Sequence, residues 1–226
     1  GDHRDLHSFP TRRSSDLYIG HGGEFFKSGT ATPSINNAKG VATLNMLKKL
    51  ADLSNPDFLT HDSEAIKVEW EAGNVAIMTL WASRSGTLLD DEGDAKITAA
   101  TKLVAPATVG GGNIPAATLW WDGFTLAKNR SDADAEASFR AMAHAASSKE
   151  MVAKASDQAV WLVEGFVPGP KSVGVIEAVK MGAKPYPMLP QMGLMHGALG
   201  NEIVEFLQGN ETAEQALKDV EAAYNT

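Results

Sequence analysis

A short apolar run, Val75-Ala-Ile-Met-Thr-Leu-Trp81, places the strongest constraint on the fold of this chain. The run is too short for a helix and too continuous for a strand that faces water on one side, so it predicts a strand covered on both faces. Segments with helical periodicity precede and follow it. Because helices that alternate with buried strands are typical of α/β proteins, we expect that fold class here.

Two further segments have the composition of short strands, residues 101–105 and Phe124–Ala127. A loop containing Gly110-Gly-Gly112 lies between them. Glycine permits tight turns, so this loop separates the two predicted strands. No internal repeat or low-complexity segment interrupts the pattern.

Helix starts are marked by residues that favour the N-cap position. Each precedes apolar residues spaced three or four apart, as in an amphipathic helix, and they are Asn37, Asp62, Ser131 and Thr212. Thr212 with Gln215 has the spacing of a capping box. A Pro-punctuated segment leads into one more predicted helix, from about Gln191 to Leu207, which Gly209 ends.

Charge and composition exclude several classes of function. The 226 residues include 28 acidic and 20 basic side chains, which gives a formal net charge of −8. Such a surface repels phosphate backbones and there is no basic stripe, so we expect no nucleic-acid partner. No apolar stretch reaches the roughly 18 to 20 residues that cross a bilayer. The absence of cysteine excludes thiol catalysis and cysteine zinc sites.

The first residues have a different character from the rest. The string GDHRDLHSFPTRRSSDL, residues 1–17, resembles one translated frame of a synthetic sequencing adapter. An ordinary disordered polar tail is the alternative, because the segment has no apolar period. The adapter interpretation makes residues 1–17 a non-native tail, and in either case we expect them to lack defined structure and exclude them from the fold argument. We then expect the natural start to be missing, so the absence of a signal peptide carries no information.

Catalytic and metal-binding signatures are nearly absent. His61, beside Asp62 and Glu64, comes nearest to a site, but acidic residues are favoured at a helix start by its dipole. The acidic segment Asp90–Asp94 lacks the spacing of a calcium loop and is interpreted as a solvated turn. We therefore predict no catalytic residue, no metal and no cofactor.

Tryptophan placement is the more informative signal. Trp81 ends one predicted strand, and Trp120-Trp121-Asp122-Gly123 precedes another. In open α/β sheets, ligand crevices form at strand ends. Each indole could instead fill the core, since aromatic residues dominate core packing. Neighbouring strand residues point to opposite faces, so we expect one of Trp120 and Trp121 to face a cleft.

Five segments occur in a recognisable order and spacing, namely Gly22-Gly-Glu-Phe-Phe-Lys27, Leu47-Lys-Lys-Leu-Ala-Asp-Leu53, Leu80-Trp-Ala-Ser-Arg84, Asp122-Gly-Phe124 followed by Lys128-Asn129, and Gln215-Ala-Leu-Lys-Asp-Val220. Together they resemble the family 1 extracellular solute-binding proteins. These are the maltose-binding-protein-like sugar-binding components of bacterial ABC importers. The resemblance spans essentially all of residues 18–226.

The resemblance implies a set of ligand-binding residues, which is Gly22, Gly23, Glu24, Trp81, Arg84, Trp120, Trp121, Asp122 and Gly123. The chemistry suits a sugar, since the C–H face of a pyranose stacks on indole and its hydroxyl groups bind carboxylates and guanidinium groups. Arg84 could equally be a surface residue, because arginine is mostly exposed.

The family fold also implies how the chain is divided. It has two lobes of periplasmic-binding-protein (class II) type, and this chain would hold one nearly complete lobe. Residues 18–105 and 151–226 would form that C-terminal lobe, and residues 106–150 would cross into a missing N-terminal lobe. That crossing segment should carry apolar residues without partners, including Phe124, Leu126, Phe139 and Met142.

The resulting functional expectation is a truncated binding protein that delivers a sugar to a membrane permease without chemistry. The resemblance implies a mono- or oligosaccharide ligand, permease subunits as partners, a monomer when full-length, and a periplasmic or lipid-anchored location. Closure of two lobes around ligand is the expected mechanism. Two alternatives stay open: a carbohydrate-active enzyme that uses a carboxylate pair such as Glu24 and Asp122, and a protein-interaction domain with exposed tryptophans.

Overall fold

Helices dominate the regular structure of this chain. In the computed structural model, which describes residues 11–90, 94–156 and 160–226, the strands are β1 (Thr118–Leu119) and β2 (Lys184–Pro185). The helices of these residues are α1 (Thr11–Gly20), α2 (Ala38–Asp52), α3 (Ser63–Glu71), α4 (Ala82–Ser85), α5 (Ala95–Ala100), α6 (Asp132–Ser147), α7 (Lys149–Lys154), α8 (Val173–Lys180), α9 (Pro190–Glu202), α10 (Val204–Gln208) and α11 (Ala213–Tyr224). None of these helices is both long and apolar enough to cross a membrane.

The chain divides into two units by its internal contacts. The first contains the described residues up to 69, together with 106–119 and 178–226. The second contains residues 70–105 and 120–177, apart from the undescribed positions. Each unit is therefore made of segments that are distant in sequence.

The core of the first unit lies between helices. Helix α11 packs against α2 and α9, and α1 packs against the same two helices. The side chains that these helices bury most completely are apolar, and they include Leu44, Leu47, Met192, Met195, Leu199, Leu217 and Val220. Because large apolar side chains each contribute about 1.5–3 kcal/mol on burial, this cluster is the main source of stability in the unit.

Helix α1 overturns the expectation that residues 1–17 lack structure, for the part that the structure describes. Thr11–Gly20 is helical, and Asp16 and Leu17 are buried. The hydroxyl group of Thr118 donates a hydrogen bond of 2.8 Å to the Asp16 carboxylate. The helix is retained because α2 and α9 cover its apolar residues. The adapter origin of the segment stays a prediction, and residues 1–10 lie outside the described part.

The N-cap predictions are confirmed. The Asn37 side chain accepts hydrogen bonds from the backbone N–H groups of Lys39 and Gly40. The corresponding acceptors at the starts of three later helices are the side chains of Asp62, Ser131 and Thr212. The capping box is only half formed, because the Gln215 amide donates to Asp219 instead of bonding back to Thr212. These caps hold because each depends on residues within one helical turn.

The predicted buried strand at Val75–Trp81 is wrong. The segment has no strand pairing, and Ile77 is 89% exposed. Among the described residues, no neighbouring strand offers the backbone hydrogen bonds that a buried strand requires. The apolar run did not identify a buried segment, because none of its residues is fully buried.

The other two strand predictions are also wrong. Residues 101–105 form no ladder, and the backbone N–H of Ala105 instead donates to the Glu177 carboxylate at 3.1 Å. Phe124–Ala127 forms no strand and is exposed, with Phe124 62% accessible. The strand pair that does form is parallel, with Thr118 opposite Lys184 and Leu119 opposite Pro185. It was not predicted, because two residues carry no detectable period.

The predicted helix from about Gln191 to Leu207 forms as two pieces. Helix α9 ends at Glu202, Ile203 lies between the pieces, and α10 follows. Gly209 ends α10 in the left-handed conformation, with φ +85°, as predicted from its position. The buried residues Met195, Leu199, Ile203 and Phe206 confirm the predicted apolar stripe.

The second unit is held by short helical turns and polar contacts. Helix α4 packs against the turns Gly86–Leu89 and Pro170–Ser172. Lys171 Nζ lies 2.6 Å from Asp90 Oδ1, and Trp70 Nε1 donates to Thr101 Oγ1 at 3.0 Å. Of the acidic segment Asp90–Asp94, which was predicted to be a solvated turn, residues 91–93 lie outside the described part.

Large apolar side chains remain exposed in the second unit. Trp121 is 53% exposed, Phe124 62%, Leu126 40% and Phe139 60%. We call these four residues the exposed apolar set. Their exposure agrees with the expectation that the segment 106–150 carries apolar residues without partners, although Met142 is half-buried.

Candidate functional site

The predicted tryptophans of the second unit form one ring pair. The ring centroids of Trp81 and Trp120 lie 5.3 Å apart at an interplanar angle of 78°, so the edge of one indole meets the face of the other. Trp81 occupies the N-cap position of α4, with φ −56° and ψ 136°. Both residues are half-buried. The pair thus combines a fixed position with partly accessible ring surface.

Trp121 differs from its neighbour. It is 53% exposed, and Asp122 and Gly123 after it are also exposed. Trp120 packs on Trp81, while Trp121 is open to solvent. Which of the two faces a cleft stays a prediction.

Arg84 lies one helical turn after Trp81. Its backbone N–H donates to the Trp81 carbonyl at 2.9 Å, and its side chain is exposed. An exposed guanidinium group presents several N–H donors to a hydroxyl-rich ligand. The same exposure fits the alternative that Arg84 is an ordinary surface residue.

The remaining predicted residues lie in the first unit, along an open groove. The groove measures about 560 Å³ and is lined by Tyr18, Gly22, Glu24, Ser34, Asn37, Ala38 and Lys39. Lys39 Nζ donates to the Gly22 carbonyl at 2.5 Å. Gly22 has φ +73°, and a Cβ on Gly23 would overlap the Tyr18 ring. Both glycines are therefore required by the backbone path itself.

Tyr18 organises this groove. Its hydroxyl oxygen accepts from Asn37 Nδ2 at 2.9 Å, and the hydroxyl group lies 2.8 Å from the Ser34 carbonyl, to which it donates. Burial raises the pKa of Tyr18 above 10.0. The hydroxyl group is thus neutral near pH 7 and serves as a structural donor and acceptor.

The nine predicted residues are therefore divided between the units. Gly22 and Glu24 line the groove of the first unit, and Gly23 lies between them in the chain. The others, Trp81, Arg84, Trp120, Trp121, Asp122 and Gly123, belong to the second unit. Among the described residues, no group of three or more histidine, aspartate or glutamate side chains could hold a metal ion.

Comparison with solved structures identifies the fold. The chain is similar to the structure of T. maritima MalE3 with maltose bound, with a TM-score of 0.72 and 18% sequence identity. The match covers 95% of this chain and 56% of that chain. The chain has the periplasmic-binding-protein fold.

The predicted fold class is confirmed by this match, even though most of the individual strands are not formed. No protein-family model matches the sequence. No curated protein matches it either. At 18% identity the structural likeness establishes the fold, and ligand and partners are matters of proposal.

Sequence reasoning missed several side chains that organise the first unit. Tyr18 and Asn37 bond across 19 positions, and the Tyr186 hydroxyl group lies 3.0 Å from His196 Nδ1 in the buried core. Burial raises the pKa of Tyr186 to about 12, and the nearby Asp16 carboxylate adds to the effect. No local motif signals such pairs, because they depend on contacts between distant segments.

Proposed function

We propose that this chain is part of a family 1 extracellular solute-binding protein, the component of a bacterial ABC importer that binds a sugar and delivers it to the permease. The observation that carries the proposal is the fold likeness to MalE3, a protein whose structure holds maltose. The order and spacing of the five sequence segments, from Gly22 to Val220, support the same family.

The proposed ligand surface of the second unit starts from Trp81 and Trp120. Their edge-to-face contact fixes both rings before any ligand arrives, which lowers the entropy lost on binding. A sugar presents an apolar C–H face and a rim of hydroxyl groups. Indole faces suit the first of these features, and the exposed Asp122 carboxylate and Arg84 guanidinium group suit the second.

In the first unit, we assign the groove beside Gly22, Gly23 and Glu24 a part in ligand binding. Glu24 is exposed at its edge, where the carboxylate can accept hydrogen bonds from sugar hydroxyl groups. The groove is polar through Ser34 and Asn37, which agrees with a hydroxyl-rich ligand. We assign no catalytic role to any of these residues.

The proposal extends to partners and location. The chain spans 56% of the length of MalE3. We infer that it represents the C-terminal half of a two-lobed protein, with residues 106–150 crossing between lobes. Such a protein would act as a monomer in the periplasm or on a lipid anchor, and membrane permease subunits would receive the sugar.

The decisive experiment uses a two-lobed fusion, in which the first lobe of a solute-binding protein replaces residues 1–10 so that α1 is retained. Calorimetric titration with neutral mono- and oligosaccharides should show one sugar bound for each fusion, and chromatography should recover that sugar unchanged. Trp81→Ala should abolish the binding heat. Trp70→Ala is the matched control, since its indole N–H is bonded to Thr101, and it should leave binding intact.

Two outcomes would contradict the proposal. Hydrolysis of the recovered sugar would favour a carbohydrate-active enzyme and would require Glu24 and Asp122 to lie within roughly 5–10 Å of each other. A folded, monomeric fusion that binds none of the sugars would remove the sugar-binding role itself.

A further inference from the structure

His21 occupies an unusual position for a titratable side chain. It follows α1 directly, and its backbone N–H donates to the Leu17 carbonyl at 2.9 Å. Its Nε2 atom is buried and has no hydrogen-bond partner among the described residues. A buried polar atom without a partner costs about 1–3 kcal/mol, so some feature of the fold must hold the ring there.

A glycine loop packs directly on the imidazole ring. The loop, residues 109–113, turns with φ +61° at Gly110 and +73° at Gly111, and the Gly112 N–H donates to the Val109 carbonyl at 2.9 Å. Positive φ at both central positions is the pattern of a type I′ turn. A Cβ on Gly110 would overlap Nδ1 of His21, so only glycine lets the loop approach this closely.

The base of the loop is anchored on the same helix end. The bridge between Thr108 and Pro115 closes it, and the Ala116 N–H donates to the Ala107 carbonyl at 2.9 Å. A Cβ on Gly20 would lie 2.8 Å from Val109 Cγ2 and 3.0 Å from Ala116 Cβ. A cavity of about 170 Å³ remains beside the ring, lined by the loop and by Gly20 to Gly22.

We infer that this glycine loop is a pH-sensitive latch, which is shut on the neutral imidazole of His21 and opens when that ring is protonated. The reason is that an imidazolium ion has two N–H donors, and the buried Nε2 has no acceptor within the shut loop. Burying an unpaired charge is far more costly than burying a neutral ring. Opening the loop returns the cation to water.

Burial, and not a neighbouring charge, controls the pKa of His21. Residues 106–117 contain no titratable side chain. The titratable residues closest to His21 along the chain are Asp16, Tyr18 and Glu24, and Lys39 reaches the same turn by bonding to the Gly22 carbonyl. Burial lowers the pKa of His21 below 6.5, and none of these residues adds to the shift. Because the folded state binds the proton more weakly, the latch is stable above about pH 6.5 and weakens as pH falls through the lowered pKa.

Opening of the latch in the 226-residue chain is measured by hydrogen exchange of the Gly112 and Ala116 amides. The rates are corrected for the intrinsic pH dependence of exchange. Between about pH 8 and pH 5 we expect protection to fall by about tenfold or more. His21→Phe replaces the ring with one that cannot be protonated, and protection should become independent of pH. His144→Gln, on the exposed face of α6, is the matched control and should behave like the parent.

A second variant tests the latch in case the phenylalanine ring of His21→Phe does not fit beneath the loop. Gly110→Ala should prevent closure at every pH, and the NMR titration of His21 should move up towards 6.5. The latch is refuted if protection in the parent is flat across this pH range, if the pH dependence survives in His21→Phe, or if His144→Gln removes it. Since none of these measurements involves a sugar, the result is independent of the proposed transport role.

Discussion

Apolar side chains are buried between helices of the first unit, whereas those of one segment of the second unit are exposed. In the first, α2, α9 and α11 bury Leu47, Met195 and Leu217 completely or nearly so. In the second, residues 121–130 are exposed throughout, including Trp121 and Phe124. The two regions have similar apolar content in their sequences, so composition alone does not determine burial.

The two regions differ in what their backbone needs for hydrogen bonding and in what covers their apolar side chains. An amphipathic helix forms its backbone hydrogen bonds internally and needs only another helix face to cover its stripe. A strand, such as the one predicted at Phe124–Ala127, needs a neighbouring strand for its backbone as well as a cover for its side chains. Among the described residues, α2, α9 and α11 have such helix partners and bury their apolar stripes, whereas Phe124–Ala127 has no neighbouring strand. Helix α6 buries none of its residues, and its Phe139 is exposed as well.

The largest expected effect is on core stability. Leu47→Ala should lower the free energy of unfolding by about 2–5 kcal/mol, because it leaves a cavity among α2, α9 and α11. Leu162→Ala removes the same atoms from a side chain that is 82% exposed and should change stability by less than about 0.5 kcal/mol. Urea titration of both variants tests the comparison, which fails if the two losses are equal.

The next largest loss of stability is expected in α1. The interpretation of residues 1–17 as an unstructured tail and the helix seen in the structure predict opposite results there. Leu17 is 5% exposed, so Leu17→Ala should cost about 2–4 kcal/mol and lower the melting temperature, by roughly 2–4 °C for each kcal/mol. Leu53→Ala is the matched control, since Leu53 is 86% exposed. A melting temperature unchanged by Leu17→Ala would return residues 11–17 to the status of a tail.

A smaller loss is expected at the buried Tyr186–His196 pair. Tyr186→Phe leaves His196 Nδ1 without its partner and should cost about 1–3 kcal/mol near pH 7. The pKa of Tyr186 rises from 10.0 to about 12 on folding. The folded state thus holds this proton more tightly, so stability falls as pH rises from 10 to 12. Denaturation across that range should show the loss in the parent and not in Tyr186→Phe.

The smallest effect on stability is expected in the exposed apolar set. Replacing Phe124 and Phe139 with serine should change the free energy of unfolding by less than about 0.5 kcal/mol for each position. The same change should reduce self-association of the 226-residue chain, because a large exposed apolar surface favours contact between copies. Sedimentation velocity measures this, with Leu53→Ser as the control. A parent chain that is already monomeric would contradict the expectation.

The sequence predicted what depends on neighbouring residues. The side chains of Asn37 and Thr212 bond to amides within one turn, and Gly209 adopts the positive φ that ends a helix. Those features follow from local chemistry. The family resemblance led to the correct fold class, which local patterns alone could not establish.

What the sequence could not predict depends on contacts between distant segments. Val75–Trp81 has the composition of a buried strand, but a strand exists only where another lies beside it. The contact of Trp81 with Trp120, and that of Asp16 with Thr118, joins residues far apart in the chain. The nine predicted site residues stay a prediction. The mutual geometry of Trp81 and Trp120 required the structure.

The central claim is that this chain is one part of a two-lobed sugar-binding protein, and that the exposed apolar set is covered by the other part. Calorimetry and size-exclusion chromatography of the chain alone and of the two-lobed fusion test this claim together. We predict no measurable sugar binding and a large apparent size for the chain alone, against a monomer with stoichiometric binding for the fusion. Tight, stoichiometric sugar binding by the 226-residue chain on its own would contradict the account.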